Sequence, residues 1–220
     1  METSLHQQLK LHYAGDVART EVVLGPYRID AIRDDELIEV QCASLAAIRT
    51  KIQSLLKRHT VRIIKPLVMR TRIAKRKTAK GKITSRRMSP KRGDLLDLFD
   101  DLIYFTRVFP HENLTLELVL VQVEQVRVPC RRRRRRWQKD YRVQDVRLET
   151  IESTVQLRTA GDLLDLVGMK DHCGEFTTED IAAVTGRPRW YAQKIAYVLK
   201  HTAAIEAVAR KRTGIIYRAA

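Results

Sequence analysis

Arg28-Ile29-Asp30-Ala31-Ile32, then the polar Arg33-Asp34-Asp35-Glu36, then Leu37-Ile38-Glu39-Val40-Gln41, constrains this chain more than any other segment. Two apolar-rich stretches on either side of a short acidic turn spell an antiparallel hairpin. Centred between Asp34 and Asp35, the hairpin pairs Arg33 with Glu36, Ile32 with Leu37, Ala31 with Ile38 and Asp30 with Glu39. Opposed side chains share a face of the sheet, so Asp30 and Glu39 stand side by side with Gln41 one step further along. Like charges opposed in a sheet are destabilising and need a compensating positive charge. A divalent cation is one answer, and it makes Asp30 and Glu39 candidate metal ligands, with Glu21 of the preceding strand as a third. Gln41 is then the candidate that orients an attacking water. The plain alternative is a solvated sheet face on which Arg28 pairs with one of the acids.

Around the hairpin the pattern gives an α/β order. Leu5, Leu9 and Tyr13 recur at helical spacing, with Ser4 as the expected cap of a helix over 4–13. Residues 20–24 read as a strand, and Gly25-Pro26 as the turn into the hairpin. Ser44 caps a second helix whose apolar stripe is Leu45, Ile48, Ile52, Leu55 and Leu56. Residues 61–64 follow as a strand expected to stop at Pro66. Residues 68–88 read as a basic hairpin turning at Thr78-Ala79-Lys80-Gly81. Residues 94–109 read as an acidic amphipathic helix, 114–126 as a strand, 131–136 as an arginine loop and 143–158 as a mixed connector. From 160 onward the pattern is three helices and two strands. Thr177 and Asp180 form a capping pair, Gly186 ends one helix, Pro188 opens the next, and Lys211 to Gly214 make the final turn. That order is a winged helix-turn-helix. The expected division is a main domain over 1–142, a connector over 143–159 and a small domain over 160–220.

Charge narrows the partner. The net charge is +16, and it is unevenly placed: residues 61–92 carry 13 basic and no acidic side chains, and residues 127–142 carry 9 basic and 1 acidic. Residues 93–126, by contrast, carry 7 acidic and 1 basic. Concentrated positive charge is the footprint of a polyanion, and neither block is an amphipathic helix suited to a membrane surface. The expected phosphate contacts are Arg70, Arg72, Lys75, Arg76, Lys77, Arg86, Arg87, Lys91 and Arg92 in the first block, and Arg131, Arg132, Arg133 and Arg134 in the second. The competing expectation for the first block is neutralisation by the acids of 94–101. In the C-terminal module the candidates are Arg187, Arg189, Trp190, Gln193 and Lys194 on the recognition helix, and Lys211 and Arg212 on the wing. DNA is the expected partner, with RNA left open.

Several classes are excluded. No GxxxxGK[ST] or GxSxG motif is present, and the six histidines lack ligand spacing. The three cysteines are far apart and fit no disulfide framework or CxxC site, which points to a reducing cytoplasm. No run of 18 apolar residues exists, and the first residues have no basic and apolar leader, so neither a membrane span nor a secretory signal is expected.

The helix, three strands, helix, strand order, with Asp30 on one strand and Glu39-Val40-Gln41 on the next, resembles the PD-(D/E)XK nuclease superfamily over about residues 4–66. The resemblance implies a restriction-endonuclease-like mixed sheet flanked by helices. It also implies Mg²⁺ or Mn²⁺ on Asp30, Glu39 and the Val40 carbonyl, and phosphodiester cleavage. Cutting both strands of a duplex would need two sites, hence a homodimer. Gln41 stands where the superfamily carries lysine, a departure that replaces a cationic proton donor by a neutral one. As a whole the chain resembles a bacterial family of this layout with a C-terminal winged helix, which would place it in the cytoplasm at the nucleoid. The alternative expectation is a non-catalytic DNA-binding regulator on a nuclease-like scaffold.

Overall fold

The computed structural model describes residues 3–15, 20–130, 140–212 and 214–220. The hairpin forms as its sequence demands. Strand β2 (Tyr27–Arg33) pairs antiparallel with β3 (Glu36–Val40) in the register Arg33↔Glu36, Ile32↔Leu37, Ala31↔Ile38. The two-residue turn puts Asp34 at φ 47° and Asp35 at φ 62°. Both are left-handed, as a turn matching the twist of the strands requires. Strand β1 (Thr20–Leu24) pairs antiparallel with β2.

These strands belong to a seven-stranded mixed sheet. Its order is β1-β2-β3-β4-β6-β7, with β5 paired to β4. Strands β4 (Val61–Arg76), β6 (Leu114–Pro129) and β7 (Tyr141–Leu157) are long, and β5 (Ile83–Met88) is short. Two expectations are corrected here. Pro66 does not end its strand, because a proline removes one donor and leaves the extended backbone intact. Residues 143–158 are not a connector but most of β7. The apolar residues there (Val143, Val146, Leu148, Ile151, Val155) lack a period of two, so the strand is invisible to alternation.

The described residues fall into two compact units, each assembled from separated stretches. The first comprises 1–42, 64–94 and 118–155, and the second 43–63, 95–117 and 156–220. In the first, helix α1 (Ser4–Ala14) lays Leu5 and Leu9 on Ala31, Ile38, Val40, Ile64, Val119, Val121 and Val123. Each such leucine, fully buried, stabilises by about 1.5–3 kcal/mol. Thr3, not Ser4, is the N-cap residue. Ser4 instead anchors the helix to β7: its N–H and Oγ donate to the Asp145 carboxylate at 3.0 and 2.7 Å. Gln8 Oε1 accepts the Leu148 N–H at 2.9 Å.

In the second unit Ser44 caps a 3-10 turn (Leu45–Ile48) that leads into α2 (Arg49–Leu55). The expected stripe of Leu45, Ile48, Ile52, Leu55 and Leu56 is buried. The acidic segment is not one long helix. It is a 3-10 turn (Leu95–Leu98) followed by a single turn, α3 (Phe99–Leu102), and the chain then turns repeatedly so that Phe105, Val108 and Phe109 are also buried. Helices α4 (Ala160–Leu166), α5 (Thr178–Thr185) and α6 (Arg189–His201) precede the antiparallel pair β8 (Ile205–Lys211) and β9 (Gly214–Ala219). Capping boxes begin α4 at Thr159 and α5 at Thr177, and Gly186 ends α5 at φ 64°. A lone bridge joins Phe176 to Tyr217. No helix among the described residues is long and apolar enough to cross a membrane.

The turn gives a direct test. An L-residue in the left-handed region is disfavoured by about 1–2 kcal/mol, and glycine is not. Asp35→Gly is expected to stabilise the protein by up to about 1 kcal/mol, and Asp35→Val to destabilise it by about 1–2 kcal/mol, read as opposite shifts of the urea midpoint.

Candidate functional site

The hairpin acids meet cations of their own chain. Asp30 Oδ2 accepts the Val40 N–H at 2.8 Å and lies 3.3 Å from His6 Nε2. Glu21 occurs inside β1 at φ 58°, and its carboxylate is held by Lys10 and Arg28. Lys10 is nearly buried, at 6% exposure. His6 and Lys10 are one helical turn apart on α1, so a single face of that helix delivers both to the sheet. Glu39 is buried at 8% exposure, and Gln41 donates its backbone N–H to Ile64 at 2.9 Å. Among the described residues no three His, Cys, Asp or Glu side chains form a group able to hold a metal ion. The set Glu21, Asp30 and Glu39 therefore does not assemble as a three-ligand centre. The sequence suggested Arg28 as a partner of Asp30 or Glu39; its ion pair is with Glu21 of β1, and His6 and Lys10 were missed. Their i, i+4 spacing on a helix preceding three strands was the available signal.

The electrostatics of Asp30 follow from these contacts. Burial pushes its carboxyl up, but the hydrogen bonds from His6 and Val40 and the charge of Lys10 outweigh burial and hold it below the usual carboxylate value.

The basic block becomes an arm made of the distal half of β4 and all of β5, paired from Arg72↔Met88 to Arg76↔Ile83. Beyond β5 the chain continues along β4, with Ser89 N–H to Thr71 O at 2.8 Å and Gly93 N–H to Met69 O at 3.0 Å. Only glycine fits at 93, because a Cβ there would stand 2.1 Å from the Val68 carbonyl oxygen. The arm sorts its cations. Arg72 pairs with Glu149 and Arg86 with Glu124, both at 2.8 Å, so these two are structural. Arg70, Lys75, Lys77, Arg87, Lys91 and Arg92 are exposed. Lys75, Arg76 and Arg87 line a cavity together with Arg127 and Tyr141. Arg127 falls within the second basic block, but it belongs to strand β6 and not to the arginine run, so it was not singled out as a contact. Arg131, Arg132, Arg133 and Arg134 lie outside the described residues.

Asp97 and Asp100 engage cations outside the basic block. Asp97 accepts from Arg187 at 3.0 Å, Asp100 pairs with Lys194, and the Leu96 carbonyl accepts from the Tyr191 hydroxyl at 2.8 Å. Burial, with Asp100 and Asp97 nearby, pushes the Tyr191 hydroxyl strongly up. Arg189 pairs with Glu179 at 2.9 Å. Of the recognition-helix candidates, Trp190 and Gln193 point to solvent, Trp190 at 64% exposure. Lys211 and Arg212 are exposed at the end of β8.

The family model described as "Domain of unknown function (DUF8091)" matches residues 3–158. The chain belongs to the DUF8091 family. The match runs from the residue before α1 to the residue after β7, so the DUF8091 region holds every strand of the large sheet and the whole basic arm. An uncharacterized protein of Treponema pallidum (strain Nichols) is 29% identical over 163 residues, which is 74% of this chain and 64% of that protein. No solved structure matches the chain.

Two expected outcomes test the charge cluster of the DUF8091 region. Lys10→Met leaves two carboxylates short of a cation and should cost about 1–3 kcal/mol. Adding Glu21→Gln should recover part of that loss, measured as a non-additive double-mutant cycle in urea. Second, the Asp30 carboxyl lies lower in the folded chain than in the unfolded one, where it titrates near about 3.9. Its contribution is therefore complete above that value and is lost as pH falls through the lower, folded-state value. Stability measured from pH 5 to 3 should fall less steeply in Asp30→Asn than in the parent.

Proposed function

We propose that this chain binds nucleic acid through its phosphates and does not cut it. The observation that supports this most is the arm: Arg70, Lys75, Lys77, Lys80, Lys82, Arg87, Lys91 and Arg92 are exposed, and none of them is in an ion pair among the described residues. Exposed cations concentrated in one element are repelled from one another and attract a polyanion. The C-terminal module fits the same reading. One helix, a bridging residue, two helices and a two-stranded sheet follow the order of a winged helix, in which α6 enters the major groove and the β8–β9 pair is the wing. On this reading Gln193 and Trp190 face the groove, Lys211 and Arg212 touch backbone, and Arg187 and Lys194 serve to hold α6 on α3. Duplex DNA is the partner.

A second reading keeps the PD-(D/E)XK resemblance, a restriction-endonuclease-like sheet and cleavage with Mg²⁺ or Mn²⁺. The hairpin favours it by placing Asp30 and Glu39 on adjacent strands, each next to the paired residues Ala31 and Ile38. The carboxylates argue against it, because His6 and Lys10 already supply the positive charge that a metal would bring to Asp30.

Binding should be steeply salt-dependent, with log K falling by about 0.9 per phosphate contact for each unit of log salt. Arg70→Ala and Lys77→Ala should each reduce that slope by about one and weaken all DNA sequences alike, measured by anisotropy on duplexes of differing sequence. Absence of salt-dependent binding would remove the proposal, and RNA outcompeting duplex DNA would reassign its partner. Plasmid incubated with Mg²⁺ or Mn²⁺ should remain intact. Cutting that is lost in both Asp30→Ala and Glu39→Ala would restore the second reading.

A further inference from the structure

We infer that the cavity lined by the tip of the β4–β5 arm and the adjoining ends of β6 and β7 is a pocket for a single nucleotide, seized by its phosphate. The inference rests on the nucleic-acid reading above and adds to the duplex-binding surface a separate site for an unpaired nucleotide. The cavity has a volume of about 360 Å³ and is lined by Lys75, Arg76, Arg87, Arg127, Tyr141 and Asp140, among others. Four cations against one carboxylate make it an anion site by charge. Its volume lies at the lower end of the range of about 300–1,000 Å³ found for small-molecule sites, larger than an inorganic ion needs.

A local irregularity builds the site. Successive strand residues point to opposite faces, so Lys75 and Arg76 should not line one cavity. The register changes between them, from Lys75↔Ser85 to Arg76↔Ile83, which leaves Thr84 as an extra residue on β5. Thr84 Oγ1 donates to the Lys75 carbonyl at 3.2 Å and fixes that irregularity. A bulge of this kind increases the local twist of the strand pair and re-aims side chains, and Lys75 and Arg76 both line the cavity beside it.

The two arginines of β4 and β6 are held by neutral partners. Arg76 Nη1 donates to the Ala79 carbonyl at 3.3 Å, while its Nε is buried and has no hydrogen-bond partner among the described residues. A buried guanidinium donor with no acceptor calls for one. Arg127 donates from Nε to Gln125 Oε1 at 2.7 Å, and its guanidinium lies 4.1 Å from the centre of the Tyr141 ring. Guanidinium groups positioned in this way, with no carboxylate on either, suit the oxygens of a phosphate. Tyr141 adds an aromatic surface of the kind on which bases stack. The phosphates of a duplex line its convex outer ridges with their bases turned inward. A concave pocket with an aromatic wall therefore favours a nucleotide free of a duplex, either within a single strand or as a free mononucleotide.

The test uses the full chain, with Arg76→Gln, Arg127→Gln and Arg76→Lys checked for parental melting temperature. Ligands are a labelled 12-nucleotide single strand and a 20-base-pair duplex, read by anisotropy, and a mononucleotide, read by calorimetry. Each glutamine variant should weaken the single strand by about 10-fold or more, and Arg76→Lys by less, with the duplex changed under about 2-fold. Loss confined to the mononucleotide would equally support the pocket and identify a free nucleotide as its ligand. Equal weakening of strand and duplex, or no change in any ligand, would overturn the pocket while leaving phosphate binding by the arm intact. A parent chain that binds none of the three removes both readings. Should Arg76→Gln fail to fold, Arg127→Gln and Tyr141→Leu carry the same comparison.

Discussion

Lys10 lies almost wholly buried beside two carboxylates, hydrogen-bonded to Glu21 and close enough to Asp30 to depress its titration. The seating of α1 on the first three strands depends on this interaction. Glu21 of β1 and Asp30 of the neighbouring β2 are two acids that repel one another if left without a cation. Helix α1 resolves this with His6 and Lys10, while Leu5 and Leu9 of the same helix supply the apolar burial that holds it there. Charge compensation and core packing thus come from two faces of one helix. Breaking the pair would leave charge in a poorly hydrated place, which is far costlier than never having put it there. The same arrangement decides the chemistry. A carboxylate already hydrogen-bonded by its own chain has less to offer a cation from solution.

The basic arm follows the opposite rule. Arg72 and Arg86 find Glu149 and Glu124, whereas Arg70, Lys77, Lys80 and Lys82 have no acid beside them among the described residues. Ion pairs on an exposed surface contribute little to stability, so the value of Arg72 and Arg86 lies in fixing the arm against β6 and β7 rather than in holding the fold together. The remaining cations are then presented on a fixed support. That separation of anchoring from presented charge is what a phosphate-binding surface requires.

In the second unit the acids of 94–101 are the organising feature. Asp97, Asp100 and the Leu96 carbonyl engage Arg187, Lys194 and Tyr191, and so seat the first two turns of α6 on α3. The residues with the strongest nucleic-acid signature in that helix are therefore employed in packing. Exposed on α6 are Arg189, Trp190, Gln193, Tyr197, Lys200 and His201, with Arg189 paired to Glu179.

The local elements were legible from residues alone. The turn and first pairs of the hairpin, the capping box at Thr177 and the turns at Gly186 and after Lys211 all follow from chemistry within a few residues, where backbone preference and a single hydrogen bond decide. The long strand β7 and the passage of β4 through Pro66 were not legible, because each is stabilised by neighbours distant in sequence and neither has a regular apolar period. The candidate site divides in the same way. That Asp30 and Glu39 lie on adjacent strands beside the pair Ala31 and Ile38, and that residues 68–88 hold a basic hairpin, could be read directly. Which cation answers each acid could not. Lys10 meeting Glu21, Arg86 meeting Glu124, Arg187 meeting Asp97 and the bulge that joins Lys75 with Arg76 are tertiary decisions. Electrostatic partners are chosen by distances of a few ångströms that only the packed chain sets, whereas propensity and periodicity act along the chain before it packs.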